Sequence, residues 1–293
     1  MHRFFRFLFT SIMIMSFVIA GNQLAVAADG QIFFKGSSTL APVISQVAQQ
    51  FMEKYGTWNK IDASLPDAKI EIFVSGGGSG EGVKAVLDGT SNFGMTARTV
   101  KEEEKKAIGD YHEFHIGTDA LTISVNPDNK VCQVKPNLTK DELVKIFSGE
   151  YRTWNNLDPA LAKEEIVVVI RDIGGGAHEV FQKSIMKKVD VTPSAIQSPS
   201  MGALVTKVIE NKNAIGYASF GMVNVHEGEI IPLKVDGVEP TVENILDGTY
   251  YVSRPLLVVK KGNMSPIEKA FIDELLSAEG MKIVEQMGFV PAK

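Results

Sequence analysis

The sequence predicts an α/β fold with mainly parallel sheets. Short apolar and β-branched runs alternate along the chain with longer segments of helical spacing, and three of the connections between them are rich in glycine, serine or threonine. In such folds, ligands bind where strand ends meet helix starts. These connections are therefore where a site is expected.

The strands and helices follow one another from residue 31 to residue 288. Each predicted strand is a short apolar run, and each predicted helix is a longer segment with apolar residues at helical spacing. Pro42 suits the first turn of the first helix, and Ser79 is expected to cap the second from about Gly80. In order, the elements are strand QIFFKG, helix APVISQVAQQFMEKY, strand KIEIFVSGGG, helix GVKAVLDG, strand DALTISVN, helix LTKDELVKIFSG, strand EIVVVIRD, helix HEVFQKSIMKK, helix MGALVTKVIENKN, strands AIGYASFG, EIIPLKV and YYVSRPLLVVKK, and helices SPIEKAFIDELLS and EGMKIVEQMG.

The first 27 residues form a predicted signal peptide. Arg3 and Arg6 precede the apolar run LFTSIMIMSFVIA, and AVA offers a cleavage site near Ala27. An uncleaved N-terminal anchor helix is the alternative, although the run is short for a membrane span. Since Cys132 is the single cysteine and lies far from this site, it predicts neither a lipid anchor nor an intramolecular disulfide. We expect a soluble, exported, periplasmic monomer.

Charge and composition exclude several classes of function. The net charge is −5 and the pI is near 5.6, which argues against a nucleic-acid-binding protein. The five histidines and one cysteine are too scattered for a metal-ligand cluster. No metal and no cofactor is expected.

Three strand–helix connections share features that suit an anion. They are KGSSTLAP, SGGGSGEGVKAV and RDIGGGAHEVF. The first N–H groups of a helix have no partner within it and lie at the positive end of its dipole, so they attract anions. Serine and threonine at helix starts are more often caps, and glycine runs are more often turns. Three such connections in one chain favour a site with donors that converge on a tetrahedral anion.

Nucleotide and hydrolase motifs do not fit. GGGSGEGVK has Val83 where a P-loop requires lysine, and it does not match the dinucleotide fingerprint. A hydrolase would need a nucleophile beside a base, but no G-x-S-x-G elbow occurs. His178 is expected to be a solvated or capping residue near a helix start.

The chain resembles the substrate-binding proteins of bacterial phosphate ABC transporters over nearly all of its mature length. The matching segments, in the family's order, are GSSTLAP, GGGSGEGVKAVLDGTSNFGMTAR, DALTISVNP, LTKDELVKIFSGEYRTWNNL, NAIGYASFG, VDGVEPTVENILDGTYYVSRPLLVV and FIDELLSAEGMKIVEQMGFVP. The resemblance implies a type II periplasmic-binding-protein fold: two mixed sheets flanked by helices and joined by a two-strand hinge. The implied lobes are 28–118 with 254–293, and 119–253.

The resemblance also implies a binding site. Thr39, the N–H of Leu40 and the adjacent Ser38 match the family's first turn, Ser79 its second, and Arg171 its third. The backbone of Gly175, Gly176 and Ala177 would complete the cradle, with Asp172 orienting Arg171 and Arg98 as a further candidate whose alternative is a surface salt bridge.

The sequence departs from the family at several of these positions. The third turn, close to R-D-S-G-S-G-T-R-E-T-F in the family, has Ile173, Gly175, Ala177 and His178 in place of two serines, a threonine and an arginine. Ala97 stands where the family has aspartate or serine. Each lost hydrogen bond to a charged ligand costs about 1.5–3 kcal/mol, so these changes bear on affinity and ligand choice.

The expected function is that of a non-enzymatic binding protein that delivers phosphate, or a related oxyanion, to an ABC permease. One alternative is a sensor or scaffold of the same fold that binds another oxyanion or a phosphoester. A phosphoester hydrolase that uses a cradle serine and His178 is a second alternative.

Overall fold

The structure is a computed structural model that describes residues 30–292, so the predicted signal peptide lies outside the described residues. The strands are β1 (Gln31–Ser37), β2 (Glu71–Gly77), β3 (Phe93–Thr96), β4 (Tyr111–Val125), β5 (Asn137–Leu138), β6 (Val167–Arg171), β7 (Ile196–Ser198), β8 (Ala214–Ser219), β9 (Ile231–Pro232), β10 (Lys234–Val235), β11 (Ser253–Lys261) and β12 (Val290–Pro291).

The helices fill the connections between these strands. They are α1 (Ala41–Tyr55), α2 (Ser79–Leu87), α3 (Glu102–Ile108), α4 (Val131–Val134), α5 (Lys140–Phe147), α6 (Trp154–Leu157), α7 (Gly176–Phe181), α8 (Met201–Ile209), α9 (Phe220–Val225), α10 (Val242–Leu246), α11 (Pro266–Leu275) and α12 (Ala278–Gln286), with a 3₁₀ turn at Trp58–Lys60 and a π-helical turn at Gln182–Met186 that continues α7.

Most strands form two mixed sheets that share β4, which confirms the predicted fold class, and β5 and β10 form a separate two-stranded sheet. One sheet has the order β2-β1-β3-β11-β4, and the other has the order β4-β8-β6-β7. Within them β1 is parallel to β2 and β3, and β6 is parallel to β7 and β8, whereas β11 and β8 run antiparallel to β4. The carboxyl ends of β1 and β6 consequently carry the connections to α1 and α7.

The chain crosses between the lobes at two adjacent points. β4 pairs with β11 in lobe 1 from Tyr111 to Ala120, with a register shift at Ile116, and its last five residues pair with β8 in lobe 2. The return crossing precedes β11, where the N–H of Leu121 donates to the carbonyl of Val252 at 2.9 Å. The predicted boundaries at 118/119 and 253/254 fall beside these crossings and stay a prediction.

Each lobe has its own hydrophobic core. In lobe 1, Phe271 of α11 packs edge-on against Phe51 of α1 and Phe34 of β1, with ring centroids 5.4 Å apart in both pairs. In lobe 2, Phe181 of α7 stacks on Tyr217 of β8 at 4.3 Å. The C-terminal helices thus complete the lobe in which β1 lies.

Local sequence accounts for the longer elements, whereas the short elements α4, β5, α6, β7, α9, α10 and β12 were not predicted. The first half of β4 was not predicted, because YHEFHIGT mixes charged and apolar residues at a lobe edge. β3 and α3 were also not predicted. The segment EIIPLKV forms two short strands, since Pro232 has no N–H and the chain changes partner from β4 to β5.

Within 30–292, no helix has the length and apolar character needed to cross a membrane. The described part of the chain also holds no cluster of three histidine, cysteine, aspartate or glutamate side chains suited to a metal ion.

Candidate functional site

The candidate site lies where the two lobes touch, and glycine allows the contact. A Cβ atom on Gly176 would lie 2.3 Å from the Oγ of Ser79, closer than such atoms approach. On Gly78 it would lie 3.6 Å from the carbonyl oxygen of Gly174. The third connection predicted from the sequence therefore rests directly on the second.

Two hydroxyls of the first connection, those of Ser38 and Thr39, each face an arginine. Ser38 Oγ accepts a hydrogen bond from Arg171 Nη1 at 2.9 Å, and Thr39 Oγ1 accepts one from Arg254 Nη2 at 3.1 Å. Guanidinium groups only donate, so each hydroxyl keeps its own hydrogen. Both side chains are thereby free to donate to an anion.

The predicted backbone donors of this connection hold its turn. The N–H of Leu40 donates to the carbonyl of Ser37 at 3.2 Å and to its Oγ at 3.3 Å. The N–H of Thr39 donates to the same Oγ at 3.3 Å. These bonds are long, so a charged oxygen placed there would compete for the donors.

Ser79 does not cap α2, contrary to the sequence-based expectation. The helix begins at Ser79 itself, and Gly78 precedes it without a side-chain cap. The buried Oγ instead accepts the N–H of Ala97 at 3.0 Å. Ser79 therefore fixes the backbone after β3, and its hydroxyl hydrogen stays available on the side of Gly176.

Arg171 is buried in the contact between the lobes. Its Nε donates to Asp172 Oδ1 at 3.0 Å, which agrees with the predicted orienting role of Asp172. Further bonds run to the carbonyls of Ser198 at 3.2 Å, Pro199 at 3.2 Å and Gly77 at 3.4 Å. The guanidinium is thus held by both lobes.

The third connection supplies backbone and no hydroxyl. Gly175 precedes α7, and its N–H donates to the carbonyl of Asp172 at 2.8 Å. A Cβ on Gly175 would lie 3.1 Å from Arg171 Nη2, so a serine here would crowd the guanidinium. Ala177 is buried and presents only a methyl group.

Arg98 is held by two carboxylates in a buried salt bridge, not in the surface salt bridge that was the expected alternative. Its side chain is 5% exposed, and its Nη atoms donate to Glu104 at 2.7 and 2.8 Å. Its Nε lies 3.1 Å from Glu179 Oε2 across the lobe boundary. Burial raises the pKa of Glu104, but hydrogen bonds from Arg98 and Lys101 outweigh it, and the pKa lies below its usual value. The role of Arg98 as a ligand-binding cation stays a prediction, and both of its carboxylate partners offset its charge.

The sequence did not reveal the buried ion pair at the lobe crossing. Arg254 Nη2 lies 2.8 Å from Asp119 Oδ2, and both side chains are almost fully buried. Burial lowers the pKa of Arg254, and the carboxylate of Asp119 opposes this change. Ser219 donates to the other oxygen of Asp119 at 2.9 Å. Since Arg254 also donates to Thr39, this pair links the crossing to the first connection.

His178 is buried, not solvated as expected. The hydroxyl of Tyr217 lies 3.0 Å from His178 Nδ1 and accepts the N–H of Arg171 at 3.0 Å. This hydroxyl therefore joins the side chain of His178 to the backbone of Arg171. Burial lowers the pKa of His178, although Asp172 partly opposes this, which favours the neutral ring.

Comparison with known proteins gives consistent results. The PBP superfamily domain matches residues 22–279. The phosphate-binding protein PstS of Staphylococcus saprophyticus is 30% identical over 283 residues, which cover 92% of this chain and 83% of that protein. A structure from Clostridium perfringens named as a phosphate ABC transporter substrate-binding protein, with bound phosphate, has a TM-score of 0.77 at 32% identity and covers 90% of this chain and 100% of that one. An ABC-type phosphate transport receptor from Vibrio cholerae has a TM-score of 0.68 at 26% identity and covers 89% and 100%.

Proposed function

From the premise that this chain belongs to the phosphate-binding proteins of ABC transporters within the PBP superfamily, we propose that it captures inorganic phosphate between its lobes and delivers it to an ABC permease. The observation that carries the proposal is the hydrogen bond of 2.9 Å between Arg171 of lobe 2 and Ser38 of lobe 1. It places a cation and a hydroxyl from different lobes in one buried place. An anion bound there contacts both lobes and so stabilises their closed arrangement.

Four groups are assigned as donors to phosphate. Arg171 supplies the formal positive charge and is held in position by Asp172. The hydroxyls of Ser38, Thr39 and Ser79 each accept a hydrogen bond from a protein group and can donate their own hydrogen. Charge-assisted bonds of this kind are about twice as strong as neutral ones.

The helix starts add backbone donors. The N–H groups of Thr39 and Leu40 lie at the start of the 15-residue helix α1, where the dipole favours an anion. The backbone of Gly175, Gly176 and Ala177 lies at the start of α7 and forms the opposite wall. Because Gly175 and Ala177 have no hydroxyl, we expect looser binding than a site with serine and threonine there would give.

Export and partnership follow from the same family. The predicted signal peptide would direct the chain to the periplasm, where a monomer would meet its permease. Measurement of the mature N-terminus after secretion tests the predicted cleavage near Ala27. Retention of residues 1–27 would favour the alternative of an N-terminal anchor.

Calorimetric titration tests the proposal directly. Protein stripped of ligand would be titrated with phosphate, arsenate, sulfate and molybdate. We expect phosphate to bind and Arg171→Ala to weaken it at least about tenfold, since a hydrogen bond to a charged group is lost. No binding of phosphate would contradict the function, and unchanged affinity in Arg171→Ala would contradict the role of that residue.

Among residues 30–292, no hydrogen bond joins His178 to a serine of the cradle, which argues against the hydrolase alternative. His178 Nδ1 is hydrogen-bonded to the hydroxyl of Tyr217, and the hydrogen bonds of Ser38 and Ser79 run to other groups. A general base must lie within hydrogen-bond reach of its nucleophile or connect to it through one water. Absence of turnover of a chromogenic phosphoester would agree with binding alone.

A further inference from the structure

A fourth strand–helix connection reaches the cleft, between β7 and α8. The N–H of Met201, the first residue of the nine-residue helix α8, donates to Ser38 Oγ at 3.3 Å. The carbonyls of Ser198 and Pro199 accept from Arg171. This connection therefore touches the two side chains that define the proposed phosphate site.

Ser198 has a buried hydroxyl without a partner. The residue is 2% exposed, and among residues 30–292 nothing forms a hydrogen bond with its Oγ. By contrast, Ser200 Oγ accepts the N–H of Ala203 at 3.1 Å and caps α8. Buried hydroxyls nearly always have a partner, because an unpaired one destabilises the fold.

The strand register places this hydroxyl beside Arg171. In the parallel pair of β6 and β7, Arg171 lies opposite Ser198, and Ile170 lies opposite Gln197. Side chains alternate between the two faces of a sheet, so Ser198 shares a face with Arg171. The Nε of Arg171 also contacts the Ser198 carbonyl, so the two residues are immediate neighbours.

We propose that Ser198 Oγ is a further ligand-binding group, which donates to an oxygen of the bound oxyanion at the start of α8. The inference rests on the proposed function and identifies one source of the hydroxyl contacts that Gly175 and Ala177 do not supply. The hydroxyl lies on the face of Arg171, next to a helix start whose dipole also favours a negative charge. Binding of the anion would satisfy a donor that the protein leaves unpaired.

Ser198→Ala tests this assignment because affinity and stability should respond differently. We expect phosphate affinity to fall about ten- to a hundredfold, through loss of a hydrogen bond to a charged ligand. The melting temperature without ligand should stay the same or rise, since no protein partner is lost. Ser198→Cys keeps the size and a weak donor, and should fall between the wild type and Ser198→Ala.

Ser265→Ala is the matched control. Ser265 caps α11 by accepting the N–H of Glu268 at 3.4 Å, away from the cleft. Ser265→Ala should lower the melting temperature and leave phosphate affinity unchanged.

The titration of the wild type decides first whether the proposed function holds. If the wild type binds none of the four oxyanions, the proposed function fails and this inference with it. If it binds phosphate and Ser198→Ala stays within twofold, only the inference fails. A marked loss of stability in ligand-free Ser198→Ala would show that the hydroxyl has a structural partner and would overturn the proposal.

Discussion

Glu179 on α7 joins the lobes through two ion pairs, and its removal should weaken phosphate binding without touching the cradle. Its Oε1 lies 3.0 Å from Lys101 Nζ, and its Oε2 lies 3.1 Å from Arg98 Nε. Both cations belong to lobe 1, so opening of the cleft separates both pairs. In Glu179→Gln the closed arrangement loses this stabilisation, while Arg98 keeps its bonds to Glu104.

The exposure of the side chains determines how strongly the two ion pairs of Glu179 stabilise the closed arrangement. Glu179 is 40% exposed and Lys101 is 44% exposed, so their pair contributes about 0.2–1 kcal/mol. Arg98 is 5% exposed, and its pair lies at the upper end of this range or above it. Together the pairs stabilise the closed arrangement by about 1–2 kcal/mol, which corresponds to a five- to thirtyfold loss of affinity.

Calorimetry and stopped-flow kinetics measure this effect. We expect the dissociation rate to account for most of the loss, because open lobes release the ligand faster. Glu210→Gln is the control: Glu210 pairs with Lys207 at 3.4 Å on the exposed surface of lobe 2 alone. An affinity of Glu179→Gln within twofold of the wild type would refute the role of these pairs in closure.

Three further predictions concern buried charge, pH and selectivity. Asp119→Asn leaves Arg254 buried without its counter-ion and should lower the free energy of unfolding by about 3–5 kcal/mol. Asp273→Asn, in an exposed pair, should lower it by less than about 1 kcal/mol. Similar losses for the two variants in urea unfolding would contradict the argument from burial. Burial lowers the pKa of His178, so the stability contributed by the neutral ring is present above the unfolded pKa near 6.5 and is lost as the pH falls. The urea midpoints at pH 7.5 and pH 5.5 should therefore differ less in His178→Gln than in the wild type. An equal difference in both proteins would contradict this role of His178. Ala97 can neither accept a hydrogen bond from protonated phosphate nor repel sulfate. In competition titrations near pH 8, the affinity for phosphate should therefore exceed that for sulfate by less than about a thousandfold. A larger ratio would require another hydrogen-bond acceptor in the cleft.

The sequence predicted the fold and the three connections because both are local patterns. The alternation of strands and helices reads directly from residue types, and glycine with serine or threonine identifies the turns. The structure brings Ser38, Ser79 and Gly176 into one cleft. The shared chemistry of the connections suggested that they converge, and the resemblance to a family assigned their residues to one site, since periodicity alone does not show which connections meet.

The side-chain partners were harder to predict, because they depend on distant pairing. Asp119 and Arg254 are separated by 135 positions and meet only because β4 and β11 are neighbours. A charge within each apolar strand, in DALTISV and in SRPLLVV, was the available signal. The partners of Arg98 were not predicted for a related reason: Glu104 and Glu179 come from two helices in different lobes.

The balance of charge around the cleft leads to a final expectation about salt. Arg171 lies against Asp172 and Arg254 against Asp119, so the two cations nearest Ser38 and Thr39 are each matched by a carboxylate. An anion there is held mainly by fixed, buried N–H and O–H donors, which salt screens little. The half-exposed pairs of Glu179 are screened much more. Sodium chloride should therefore weaken phosphate binding by the wild type, and Glu179→Gln should remove most of this dependence. If phosphate binding by Glu179→Gln depends on salt as strongly as binding by the wild type, the ion pairs of Glu179 are not the cause of the dependence. Long-range attraction to Arg171 would then contribute to affinity in spite of the neighbouring Asp172 carboxylate.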